Sequence, residues 1–201
     1  MDRWIHNVVT NNIRKRKIAE SDAEIYEYGY TLMVEKIIIF AISAVIALFL
    51  DAVWEVLALC ITFIPLRVCS GGYHAKSRWG CMVMSGLFVT FGSIGIKLLS
   101  QQTDILTFLI IEVVCICVVS RFAPVGTIQK QIAVSEERYY KKKVIMIAGF
   151  ELMMGLLCFH FGVFTMITSI ILSNICNVIS ILGQVYYNNF KGGVYTENPN
   201  E

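Results

Sequence analysis

The chain has 201 residues, 56% of them hydrophobic and 16% charged, with a formal net charge of +2 and a mean hydropathy of +0.64. A soluble domain carries roughly 45–50% apolar and about 25% charged residues, so this balance excludes an ordinary soluble enzyme. Three prolines and 14 glycines exclude a low-complexity chain.

The first 36 residues read as amphipathic helix in two pieces. In the first, Trp4, Ile5, Val8, Val9, Asn12 and Ile13 recur at helical spacing, followed by Arg14-Lys15-Arg16-Lys17. Ser21 with Glu24 three residues on has the form of a capping box opening the second piece. There Ile25, Tyr28, Leu32 and Glu35 share a face. Segments of this kind lie in the headgroup region or pack on their own protein. Nothing here resembles the apolar core of a secretory signal.

Six apolar segments follow, over about 31–50, 53–66, 81–99, 105–122, 144–161 and 164–187. A bilayer takes roughly 20 residues of helix to cross. The expected fold is therefore all-α and polytopic, a single integral membrane domain over 1–201. It has about six transmembrane helices, and residues 1–30 form amphipathic cytoplasmic or interfacial helices. The break between the last two segments rests on Gly162.

Lysine and arginine fall on alternate loops. The region up to Lys17 holds five, Arg67 to Gly80 three, Arg121 to Lys143 six, and the tail Lys191. The loops near Asp51, Gln101–Asp104 and Gly162 hold none. Lys97 lies just inside a span, where it would snorkel. Positive residues favour the cytoplasmic side of short loops, so both termini and both basic loops are expected inside a cell membrane.

Five of the seven cysteines, Cys60, Cys115, Cys117, Cys158 and Cys176, sit in apolar runs and behave as small hydrophobes. Cys69 and Cys81 flank a polar stretch instead: Arg67-Val68-Cys69-Ser70-Gly71-Gly72-Tyr73-His74-Ala75-Lys76-Ser77-Arg78-Trp79-Gly80-Cys81. A Cys and a His suffice for acyl transfer, with the imidazole taking the thiol proton and the thiolate attacking a carbonyl. Cys81 opens the third span, and a helix N-terminus offers partial positive charge to a thiolate. Gly71 and Gly72 let backbone approach a substrate closely, and free N–H groups there would hold an oxyanion. A His and a Cys seven apart also arise by chance. A metal reading is weaker still. Cys69, His74 and Cys81 give three ligands where structural zinc normally has four, and neither His6 nor His160 supplies a fourth. No metal and no cofactor are expected.

On one straight helix, residues seven apart are separated by about 10.5 Å along the axis, too far for a Cys–His dyad. The chain between His74 and Cys81 must fold back, and Gly80 is the expected break. Glu35, Glu55, Glu112 and Glu151 lie in or near spans, where ionisable groups are functional candidates by default. Glu35 is preferred because it lies toward the inner face. Glu112 and Glu151 read better as neutral or lysine-paired carboxyls in helix packing.

The spacing of Arg67, Gly72, His74 and Cys81 resembles the AgrB family, membrane cysteine endopeptidases of Gram-positive quorum sensing. Phe122-Ala123-Pro124-Val125-Gly126-Thr127 followed by Lys130, and Glu27-Tyr28-Gly29-Tyr30 with Glu35 beyond, are also similar to that family. The resemblance covers nearly the whole chain. It implies removal of the C-terminal tail of an AgrD-like propeptide through an acyl-enzyme at Cys81, with His74 as base. Displacement by a Cys or Ser of the peptide would then give a thiolactone or lactone ring. Arg67, Gly71, Gly72, Glu35, Pro124 and Lys130 would support or position. The implied partners are the propeptide, membrane lipids and a second copy of the chain, with no nucleic acid. The competing reading is a peptide transporter or export component without proteolytic activity, and a third is a non-catalytic scaffold.

Overall fold

The computed structural model describes residues 2–14, 19, 22–73, 78–126 and 134–190. They form seven helices: α1 (Asp2–Arg14), α2 (Ala23–Phe49), α3 (Val53–Ser70), α4 (Arg78–Leu99), α5 (Ile105–Phe122), α6 (Val134–His160) and α7 (Phe164–Phe190). The last six are each long and apolar enough to cross a membrane. The all-α polytopic expectation is thereby met. Ser21, Lys15–Lys17, His74 and Lys130 lie outside the described residues.

Several boundaries differ from the apolar runs, for physical reasons. The α2 helix is continuous from Ala23 into the membrane, so the second amphipathic piece and the first span are one helix. Its N-cap is Asp22, with no side-chain cap bond, rather than Ser21. The α3 helix runs past Leu66 to Ser70 because Arg67 and Cys69 continue its last turn. The α6 helix starts at Val134, well before its apolar part, because Glu136 through Lys143 favour helix as strongly as apolar residues do.

The turns are specific. Asp51, at φ 48, reverses the chain after α2. Lys97 Nζ donates to the Leu50 carbonyl at 2.9 Å and to that of Asp51. The ammonium thus satisfies carbonyls at the end of α2 rather than only reaching water. Between α6 and α7, Val163 N–H donates to Cys158 O at 2.8 Å and Gly162 N–H to Phe159 O at 3.2 Å. This is a Schellman closure, with Gly162 at φ 70, so the least marked boundary in the sequence is a well-formed turn. Asp104 caps α5, its Oδ1 accepting from Thr107 N–H at 3.0 Å.

The α7 helix is the centre of the bundle. It packs most extensively on α3, and also on α5, α6 and α4. Its buried face mixes Ile167, Ile170 and Ile181 with Thr168, Ser169, Ser173, Asn174, Asn177 and Gln184. Small and polar residues suit helix contacts inside a membrane, where apolar residues gain little by leaving lipid. Gly155 on α6 shows the same logic, since a Cβ there would meet the Phe108 ring at 2.1 Å. The α1 helix packs on α2 and buries Val9, and His6 Nδ1 lies 2.6 Å from Glu27 Oε1.

Candidate active site at one end of the bundle

The end of α3, the exit of α5 and the second half of α7 meet over one apolar cluster. Leu66, Val119, Ala123, Val125, Val144, Ala148 and Ile181 form it, and Cys69 packs against it. Above this floor the chain leaving α3 makes a tight clamp. Gly71, at φ 72, ends the helix, and its N–H donates to Arg67 O at 3.2 Å. Val125 N–H then donates to Ser70 O at 2.9 Å, and Gly71 and Val125 form an isolated parallel bridge. Tyr73 N–H donates to the Ser180 carbonyl of α7 at 3.0 Å.

Arg67 draws this loop together. Its guanidinium donates through Nη1 to the Gly71 carbonyl and through Nη2 to the Tyr73 carbonyl. The planar fork reaches two carbonyls at once, which a single ammonium cannot do. Both glycines are required by closeness as well as by φ. A Cβ on Gly71 would lie 2.2 Å from the Val125 carbonyl oxygen. One on Gly72, at φ 113, would lie 2.1 Å from Arg67 Nη1 and 3.0 Å from Ser180 Oγ. The Gly71 N–H is already donated to α3, so the glycine pair chiefly permits close backbone passage.

Cys81 is half-buried in the first turn of α4. It stands near enough to Arg67 for the two to interact electrostatically. Gly80 lies inside α4 and is not the break expected between His74 and Cys81. The helix begins at Arg78, and Tyr73 is non-helical.

The structure thus brings Arg67, Gly71 and Gly72 together, with Pro124 beside them through its neighbour Val125 and Cys81 within electrostatic range of Arg67. Glu35 is half-buried on α2, which packs chiefly on α4, α1 and α3. Tyr73, Val125, Ser180, Gln184 and Asn188 were not singled out in the sequence. Gln184 Nε2 donates to Asn188 Oδ1 at 2.8 Å, and Asn188 Nδ2 reaches the Gly126 carbonyl at 3.4 Å. A signal for them exists: Ser173, Asn177, Ser180, Gln184 and Asn188 recur every three or four residues along an otherwise apolar helix, which is one helix face.

Six spans enclosing a thiol and a guanidinium at a buried loop define a polytopic membrane protein with a polar site at one end of its bundle. The chain belongs to the AgrB family, accessory gene regulator B, whose model matches residues 3–181. It is a quorum-sensing accessory membrane protein of a protease-type family. No curated protein and no solved structure matches the chain.

Proposed function

We propose that this protein is a membrane cysteine endopeptidase that removes the C-terminal tail of an AgrD-like propeptide and promotes its macrocyclisation. The observation that carries the reading is Arg67 bridging the Gly71–Tyr73 loop, which leads directly to His74, with Cys81 within electrostatic range of the guanidinium. In this scheme His74 accepts the Cys81 proton as sulfur attacks the scissile carbonyl, and returns it to the amine of the departing tail. The thioester conserves the reactivity of the cleaved bond. A thiol or hydroxyl of the same peptide then gives its proton to His74 and displaces Cys81, with the high effective molarity of an intramolecular attack. A site poor in water protects the thioester from hydrolysis. Arg67, Gly71 and Gly72 position the His74 loop, and Pro124 positions its Val125 support. Lys130 and Glu35 carry the weaker expectation of contacting substrate.

The same reading places both termini and the two basic loops in the cytoplasm of a Gram-positive cell. It takes the chain as one integral domain acting as a homodimer, with family resemblance as the support. Coexpression with a candidate propeptide tests the function. A hydroxylamine-sensitive peptide adduct on Cys81, absent in Cys81→Ala, is the expected result. Peptide movement across the membrane without cleavage would instead identify the transporter reading, which the carboxyls inside the spans favour.

A further inference from the structure

A second polar cluster lies inside the bundle, away from Cys81. Glu112 on α5 is fully buried, and Glu151 on α6 is 2% exposed. Asn174 on α7 links them. Its Nδ2 lies 3.1 Å from both carboxylate oxygens of Glu112 and 3.1 Å from Glu151 Oε2. One amide nitrogen carries two N–H bonds, fewer than the three oxygens it faces. Among the described residues neither carboxyl has an ion-pair partner. The titratable groups seen to interact with Glu112 among the described residues are Glu151 and the Cys115 thiol, both acids and neither a cation. Two bare carboxylates this close in an apolar interior repel each other, and each carries a heavy desolvation cost.

The surroundings are also short of partners in a particular way. Asn174 Oδ1 is buried without a hydrogen bond, and so are both Nδ2 and Oδ1 of Asn177. Asn177 is completely enclosed and lies one turn along the same face of α7. Native interiors leave few such groups unpaired, so an enclosed amide with nothing to bind, next to a carboxyl pair, points to an occupant. Glu151 also lines a cavity of about 640 Å³ between α3 and α6, together with Ile61 and Pro65. Pro65 lies inside α3 and has no N–H to return to the Ile61 carbonyl.

We propose that Glu112, Glu151, Asn174 and Asn177 form a binding site for one monovalent positive charge, a proton or a sodium ion, reached through the α3–α6 groove. The carboxylate and amide oxygens are hard donors, suited to either occupant. A proton turns one carboxyl into a donor that the Asn174 or Asn177 oxygen accepts. A sodium ion takes those oxygens as ligands and leaves both carboxyls ionised. Either way the charge ties α5, α6 and α7 together. The site is independent of the proposed protease chemistry.

The test uses the full chain purified in lipid nanodiscs, in sodium-free choline buffer. Infrared spectra report protonated carboxyl groups, a pH dye reports proton release on adding sodium chloride, and thermal unfolding reports stabilisation. A carboxyl band that fades as pH rises and ignores sodium identifies the proton. Sodium-specific stabilisation, with proton release where the band is also present, identifies sodium. Glu112→Gln and Glu151→Gln should each abolish these responses, and Asn177→Ser should weaken them if either glutamine variant does not fold. A band that neither pH nor sodium moves, no band with equal stability in sodium and choline, or responses unchanged in the variants would each overturn the proposal.

Discussion

The Tyr73 N–H donates to the Ser180 carbonyl at 3.0 Å, fixing to the last helix the residue that directly precedes His74. The Arg67 guanidinium holds the Tyr73 carbonyl from the other side. Tyr73 is thus held through its N–H and its carbonyl by two helices more than one hundred residues apart in the chain.

Replacing Gly72 should loosen this hold on Tyr73. An alanine Cβ would overlap Arg67 Nη1 at 2.1 Å and would stand at φ 113, a conformation costing on the order of 1–3 kcal/mol for a side-chain-bearing residue. Gly72→Ala should insert normally but lose propeptide processing, measured as tail removal per unit of membrane protein. Gly86→Ala, where no atom lies within 4 Å of the added carbon, should process normally.

Arg67→Lys preserves charge and removes the fork. One ammonium cannot span the Gly71 and Tyr73 carbonyls with the same geometry, and a hydrogen bond to a charged group is worth about 1.5–3 kcal/mol. Processing should fall roughly tenfold or more, in line with about 1.4 kcal/mol per factor of ten, with little change in the amount of inserted protein. Processing equal to wild type would remove Arg67 from the positioning role.

The two cysteines around the loop should separate cleanly. Cys81→Ala should abolish both the adduct and tail removal. Cys69 packs against the apolar cluster under the clamp, so Cys69→Ala should retain most activity. Its cost should resemble the loss of one small buried group, about 1 kcal/mol. Equal inactivation of both variants, with zinc restoring chelated wild type, would favour a metal centre.

Asp104 offers a pH signature outside the membrane. Hydrogen bonds from the Thr107 side chain and then from its backbone N–H hold the carboxyl below the usual carboxylate range. A depressed folded-state value means that the cap stabilises above the ordinary Asp value of about 3.9. That contribution is lost as pH falls through the lower folded value. Asp104→Asn keeps an acceptor for Thr107 N–H, so its melting temperature should drop less than that of wild type on acidification through that window.

Topology is the remaining expectation. A cysteine placed at Glu136, which is exposed in the first turn of α6, should react with an impermeant reagent only after the cells are opened. One at Gln101, exposed between α4 and α5, should react from outside. Both should be made in a background lacking Cys117, the exposed native thiol. The opposite pattern would invert the orientation.

The spans were legible because each apolar run is bounded by Gly, Asp or basic residues, and membrane helices need only length and hydropathy. Arg67, Gly72 and Cys81 were legible as a spacing. Their geometry was not, because the clamp is closed by Val125 and Ser180, which are distant in sequence. Gly80 was misjudged as a break because a single glycine inside a long helix costs only about 1 kcal/mol, which the packing of α4 absorbs. Glu112 and Glu151 stood out as buried carboxyls. Nothing local to either indicated that Asn174 sits between them, since only the helix packing brings α5, α6 and α7 to one point.

The central position of α7 has a consequence for biosynthesis. Ser180 is made after the five preceding spans have emerged, and until then the Tyr73 peptide has no carbonyl on α7 to meet. Until α7 is made, Tyr73 therefore has only the Arg67 side of its two helical anchors. The clamp that precedes His74 is complete only when the final helix is in place, so a prematurely ended copy would lack the Ser180 anchor.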